Sequence, residues 1–325
     1  MGERALIQAF TAGLKARDGR LLIGPGDDAA VVRPAGAVAV TSTDTTVLGV
    51  HLPDRHPLST PEVVGHRALA TALSDLAAMG VAAGEAYVAL TVPADWDDDH
   101  VLRAVRSLEA LAARTGTTVA GGDVTSGPAL VMTVTVVGWA SGSDALLRRD
   151  RAWPGDRVGV TGALGGSGAG LALVLGDADR GALDDAVHGR LLERYLRPRP
   201  RLEAGLALNE AGVRCGIDLS DGAATDAAHV GRASGVVLDV DLDLLPLQAG
   251  VADVARALGR DPMVHAASAG EDFELLVTAP PTLADRLSGI TWVGVVREPG
   301  AGESPGVRML RDGAPVAVRG HEHRA

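Results

Sequence analysis

Apolar positions recur at two spacings along this chain, and the alternation between them predicts its elements. Leu6, Ile7, Phe10 and Leu14 share one face at a helical period, so residues 3–17 read as an amphipathic helix. Residues 38–43 form a short β-branched run and read as a strand. Pro61 opens an apolar helix that runs through Met79, and Gly80 stops it. Residues 87–92 read as a second strand. Asp97, Asp98 and Asp99 then place negative charge where a helix to about residue 114 begins, and the helix dipole favours charge there. Residues 117–120 and 130–139 complete the first half as strands. The order strand, helix, strand, helix, strand, strand describes one compact α/β unit.

Residues 141–157 break the pattern with polar side chains, Pro and Gly. They set the expected domain boundary, with residues 1–145 as one domain and 146–325 as the other. Strand spacing returns at 158–161, 215–219, 236–242 and 273–278. Helical spacing appears at about 183–196, 200–211, 222–233 and 251–258. The expected fold class is therefore two-domain α/β or α+β. GDDAAV at 26–31 and SDGAAT at 220–225 resemble each other over too short a stretch to separate duplication from chance. The tail from Arg311 onward is mixed and ends polar and basic.

Composition narrows the function classes. Hydrophobic residues make up 46% of the 325, enough for two cores, but aromatics only 2%, so Val, Leu and Ala must do the packing. Thirty basic against 41 acidic residues leave a net charge of −11, which argues against a nucleic-acid partner. Lys15 is the sole lysine. The N-terminal stretch carries charges throughout and lacks an apolar core, so it does not read as a signal peptide. No apolar run approaches the roughly 20 residues a membrane helix needs. The expected location is the cytoplasm, with no membrane partner. Cys215, the single cysteine, lies in an apolar stretch and reads as a buried strand residue.

Candidate chemistry is clearest by elimination. GxxxxGK[ST], GxSxG, HExxH and the protein-kinase signatures are absent. The glycines at 162–170 follow a strand but do not spell GxGxxG, and they read better as a closely packed strand-to-helix turn than as a dinucleotide site. Ser167 among them has no evident base. His321 and His323 in the tail read as solvated rather than metal-binding. What remains is a set of carboxylates beside Gly, Ser or Thr: Asp27 and Asp28, Asp44, Asp75, Asp123, and Asp218 with Asp221. Each is expected at a strand or helix end except Asp75, which sits in a helix of otherwise apolar residues. An ionised Asp on such a helix is costly to bury unless it is paired or metal-bound. Gathered carboxylates repel unless a cation lies between them, and Mg²⁺ is held by a few carboxylates plus substrate phosphates. The set points to a metal-dependent phosphate enzyme.

The same segments carry a resemblance. GPGDDAAVV (24–32), TSTDTTVLGVHL (41–52), HRALATALSDLAAMG (66–80), VAGGDVTSG (119–127), VTGALGGSGAGL (160–171), RPRPR (197–201), IDLSDGAATDAAHV (217–230) and AGEDFELLVTAP (269–280) occur in this order. Together they resemble the thiamine-monophosphate kinase family, in the superfamily of aminoimidazole ribonucleotide synthetase. The match covers residues from about 1 to 280. The resemblance implies transfer of the γ-phosphoryl group of ATP, the co-substrate, onto thiamine phosphate to give thiamine diphosphate, on several Mg²⁺ ions. It also implies a homodimer whose N-terminal sheets form a barrel, with the nucleotide in a cleft between domains.

Carried over by position, the implied metal ligands are Asp28, Ser42, Thr43, Asp44, Asp75, Asp123, Asp218 and Asp221, of which Asp44, Asp75, Asp123 and Asp218 carry the catalysis. Gly122, Asp123, Arg149 and Ser220 would touch the nucleotide, with Gly121 and Gly122 letting it approach. His51, Glu271 and His321 would meet the thiamine moiety. The family's closing motif, GY-[DN]-HF, is here Gly320-His321-Glu322-His323, without its aromatic. Mg²⁺ ions neutralising phosphates would suit a chain with one lysine.

Rival readings remain within and outside the superfamily. The hydrogenase maturation dehydratase needs a C-terminal cysteine and the selenophosphate enzyme an N-terminal one, and this chain offers only Cys215. A non-catalytic nucleotide-binding homologue would be expected to have lost a metal position, and all are filled.

Overall fold

The structure is a computed structural model that describes residues 9, 11–25, 29–181, 183–318 and 320. The chain divides into two compact units, Met1–Leu76 with Val81–Asp144, and Ala77–Gly80 with Ala145–Ala325.

The first unit is built on a four-stranded sheet in the order β3-β6-β4-β5. Its strands are β3 (Val38–Val47), β4 (Ala83–Val92), β5 (Thr118–Ser126) and β6 (Val131–Ala140). The β4–β5 pair is parallel and the other two pairs are antiparallel. Its long helices among the described residues are α1 (Pro61–Ala78) and α2 (Asp98–Thr115). Asp97 caps α2 by accepting from His100 N, and Gly116 closes it at φ 71°. Ser107 Oγ of α2 donates to Glu62 O of α1 at 2.7 Å, and Arg103 pairs with Glu62.

The sheet has one buried face. Met132, Val134 and Val136 of β6 and Ala86, Val88 and Leu90 of β4 are buried, and so are Leu69, Leu73 and Leu76 of α1. Alternation puts the other residues of each strand on the opposite face, where Thr43, Thr45, Thr133, Thr135 and Ala89 lie in adjacent rows. Among the described residues neither edge of this sheet is paired, so the sheet is open in the single chain. A small hairpin, β1 (Leu21–Ile23) with β2 (Val31–Val32), lies outside it.

The second unit has a seven-stranded sheet in the order β13-β12-β9-β11-β7-β10-β8. These are β7 (Arg157–Thr161), β8 (Cys215–Asp218), β9 (Val237–Asp241), β10 (Leu275–Ala279), β11 (Ile290–Arg297), β12 (Gly306–Arg311) and β13 (Ala314–Val316). Among the described strands of this sheet, β9 and β12 pair in parallel and the other neighbours antiparallel. Its helices are α3 (Gly166–Leu175), α4 (Asp185–Leu196), α5 (Leu202–Glu210), α6 (Ala223–Ser234), α7 (Val251–Ala257), α8 (Pro262–Ser268) and α9 (Pro281–Ala284). Their apolar faces share one core with the strands, including Val160, Ile217, Leu238, Ala227, Leu191 and Val254. Cys215 is buried in β8, and burial pushes its thiol up to about 11.

Several sequence expectations change. The helix expected at 3–17 falls partly outside the described residues, and it does not continue through Leu14–Arg17. Arg17 instead reaches Thr118 Oγ1, Thr117 O and Glu109, which fix the backbone out of a helix. The strand expected to end near Thr43 runs on to Val47, because β6 offers ladder partners that far. Asp44 is therefore inside a strand, and so is Asp123, since β5 continues past the two glycines. Helix α3 was hidden by its glycines, which have poor helix propensity and are overruled by packing. Among the described residues no helix is long and apolar enough to cross a membrane.

Candidate active site

In the first unit, the side chains of Ser42 and Asp44 fall in the rows of buried Val136 and Val134. Asp75 of α1 meets Ser42, whose Oγ donates to Asp75 Oδ2 at 2.5 Å. The Asp75 carboxylate is thus partnered and only partly buried, which answers the cost of an ionised group on an apolar helix. Asp44 Oδ1 accepts from Thr45 N at 2.7 Å. The hydroxyl of Thr43 is on the other face and bonds Thr135 Oγ1 at 2.8 Å. A side-chain period of two prevents Thr43 from presenting its hydroxyl beside Ser42 and Asp44.

Asp123 belongs to the register row Thr45–Thr133–Ala89–Asp123, one step from the row Asp44–Val134–Val88–Gly122. The two carboxylate-bearing strands are three strand spacings apart, about 14 Å. Gly122 is needed for packing: a Cβ there would sit 2.0 Å from Val88 O. His51 follows β3 in a turn, and its Nδ1 accepts from Val47 N at 3.0 Å, which leaves the neutral ring's proton on Nε2. Asp28 lies outside the described residues.

In the second unit, Asp218 ends β8 and is 3% exposed. Beyond it, Leu219 N donates to Glu274 O at 2.8 Å, Phe273 N to Leu219 O at 2.9 Å, and Glu271 N to Ser220 O at 2.7 Å. The backbone therefore ties the segment bearing Glu271 directly to the Asp218–Asp221 loop. Asp221 N donates to Asp226 Oδ2 at 3.1 Å. Asp226, 2% exposed in α6, has its carboxyl pushed up to about 8, first by burial and then by the charges of Asp218 and Asp221. The positive charge of Arg149 acts in the opposite direction on the same carboxyl. Gly320 N reaches Thr225 Oγ1 at 3.1 Å, so the tail returns to this loop, but His321 lies outside the described residues.

The glycine-rich turn is occupied from within. Asp272 Oδ2 accepts from Gly165 N at 2.5 Å and Oδ1 from Ser167 N at 3.1 Å, at the start of α3. A buried carboxylate fills the place where a dinucleotide phosphate would bind a helix N-terminus. Burial pushes the Asp272 carboxyl up to about 6 despite Arg194. Two residues on, Glu274 is fully buried and accepts from Thr161 Oγ1 at 2.7 Å, Arg194 Nη2 at 2.5 Å and both donors of Arg201. Gly162, at φ 54°, leaves the space this carboxylate occupies, since a Cβ would lie 2.3 Å from Glu274 Oε1.

Asp226, Asp272, Glu274, Arg194 and Arg201 were not singled out by sequence. Asp226 carried the same signal as Asp75, an acid on an alanine-rich helix.

Among the described residues no three His, Cys, Asp or Glu side chains are grouped to hold a metal. The donors nonetheless suit Mg²⁺. Ser42 and Asp75 place two hard oxygens 2.5 Å apart, and burial, joined by the charges of Asp218 and Asp221, pushes the Asp226 carboxyl up to about 8. Mg²⁺ asks for only one or two carboxylates when phosphates and waters complete its shell.

The AIR synthase related protein models match here, the N-terminal domain over residues 26–140 and the C-terminal domain over residues 154–291. The thiamine-monophosphate kinase of Salmonella typhimurium is 37% identical over 338 residues, covering 100% of this chain and 98% of the relative. The chain belongs to the thiamine-monophosphate kinase family. Its fold agrees with that of the Stenotrophomonas maltophilia kinase, at a TM-score of 0.82 and 33% identity over 97% of this chain and 98% of that one. AaThiL complexed with AMPPCP and TMP aligns at a TM-score of 0.77 and 29% identity, covering 98% of this chain and 96% of that one. In this kinase-family chain the turn at 162–170 is closed from inside the protein by Asp272.

Proposed function

We propose that this protein is a thiamine-phosphate kinase, which transfers the γ-phosphoryl group of ATP to thiamine phosphate and yields thiamine diphosphate and ADP. The observation that carries this reading is the match over the whole chain to kinases of that name, one of them solved with AMPPCP and TMP. In this reading Ser42, Asp44 and Asp75 of the first unit hold one Mg²⁺ and Asp218 and Asp221 of the second unit another, with Asp28 as a further ligand and Asp123, in the neighbouring row, serving a separate ion. Bound Mg²⁺ supplies charge neutralisation for phosphates that would otherwise meet an acidic protein. Arg149, Gly122 and Ser220 border the nucleotide, and His51, Glu271 and His321 face the thiamine moiety.

The chemistry asks little else of the side chains. The attacking oxygen of thiamine phosphate is already anionic, so no general base is required. Its bond to the γ-phosphorus forms in line as the bond to the β,γ-bridging oxygen breaks, and ADP departs with that electron pair. The protein's work is positioning.

The exposed face of the β3-β6-β4-β5 sheet, with its Thr43, Thr45, Thr133 and Thr135 rows, is the surface on which a second copy would close a barrel. The function is tested by incubating the protein with ATP, Mg²⁺ and thiamine phosphate. Thiamine diphosphate should form, and should not form from free thiamine. The opposite pattern, or no product, rejects the reading.

A further inference from the structure

Among the described residues, four non-glycine residues have positive φ, and two of them, Glu271 at 65° and Phe273 at 50°, lie in one short segment. Side chains disfavour that region, so the surrounding structure must impose it. The alternate residues do so. Asp272 is anchored on the N–H groups of Gly165 and Ser167, and Glu274 on Thr161, Arg194 and Arg201. On the other side the backbone N–H groups of Glu271 and Phe273 are bound to Ser220 O and Leu219 O. Glu271, only partly buried, is what this clamped segment presents.

We propose that Arg201 is a positioning residue for thiamine phosphate, holding Glu271 in its left-handed conformation through the buried carboxylate of Glu274. Arg201 addresses both Glu274 oxygens, Nε to Oε2 at 2.7 Å and Nη2 to Oε1, a forked arrangement that fixes the carboxylate plane. Its side chain is 33% exposed, against 12% for Arg194, so it is the end of the network that can be altered without opening the core. The 197–201 run RPRPR ends on it, and two prolines restrict the approach of the chain. The inference rests on the reading of Glu271 as a substrate-facing residue.

The test compares Arg201→Gln, Arg201→Lys, Glu271→Ala and the double variant Arg201→Gln/Glu271→Ala, each checked by its melting temperature. Arg201→Gln should raise KM for thiamine phosphate about tenfold, with KM for ATP within about twofold, the scale of a small misplacement of a substrate-binding group. Arg201→Lys should recover part of the loss, because it keeps the charge and loses the fork. In the double variant KM for thiamine phosphate should equal that of Glu271→Ala alone. Multiplied effects, an equal rise in both KM values, or a lowered melting temperature without a selective rise would overturn the proposal. An unchanged KM in Glu271→Ala would instead remove Glu271 from the substrate site.

Discussion

Ser42 on β3 and Asp75 on α1 are joined by a hydroxyl-to-carboxylate hydrogen bond of 2.5 Å, so two residues expected at a metal are held together by the unit's own packing. That contact makes Asp75 the most informative residue to change. Asparagine keeps the shape and an acceptor for Ser42 but removes the charge. Asp75→Asn should lower kcat/KM by about 100-fold and raise the Mg²⁺ concentration needed for half-maximal rate, with little change in melting temperature. Full activity at unchanged Mg²⁺ dependence would take Asp75 out of the site.

The paired glycines of β5 should behave differently. A Cβ on Gly122 meets Val88 O at 2.0 Å, and backbone cannot yield cheaply. On Gly121 the nearest atom is a Tyr87 ring carbon at 3.5 Å, an ordinary contact. Gly122→Ala should cost about 1–3 kcal/mol of stability and Gly121→Ala far less. Equal urea midpoints for the two would contradict the β4–β5 packing.

The open face of the first unit's sheet yields a test of assembly. Sedimentation should give twice the 33.0 kDa of one chain. Ala89, exposed on β4 in the Thr45–Thr133 row, should become disruptive as Ala89→Arg and shift the mass toward one chain. A single-chain mass in the unaltered protein would remove the barrel.

His265 of α8 predicts an acid limit. Burial, with a smaller effect from Arg260, holds its imidazole below the ordinary 6.5. The unfolded chain therefore binds more protons below about pH 6.5, and stability falls as pH drops through that window. His265→Gln should flatten this contribution, so the difference in urea midpoint between variant and wild type should change between pH 7.5 and 5.5. A constant difference would mean that His265 does not titrate differently on folding.

Much of the fold was legible because it is local. The Pro61 and Gly80 signals, the Asp97–Asp99 charges and the β-branched runs act within a few residues, and α1, α2 and the sheet strands appear where they point. The tail strands β11 and β12 were not read, since they pair with β7 and β9, remote in sequence, and β13 pairs only with β12 among the described residues. The glycines of α3 concealed a helix whose stability is tertiary.

By itself the sequence determined that hard oxygen donors recur beside Gly, Ser and Thr, that no P-loop or cysteine chemistry competes, and that the motif order is that of one kinase family. These are properties of residue type and spacing. Only the tertiary structure decided that Thr43 turns away from Ser42 and Asp44, that Asp123 falls in the neighbouring row, and that Asp272 and Glu274 are buried supports rather than surface acids. The reason is physical: strand register and the pairing of Arg194 and Arg201 with distant carboxylates are contacts between segments far apart in the chain, which no local pattern encodes.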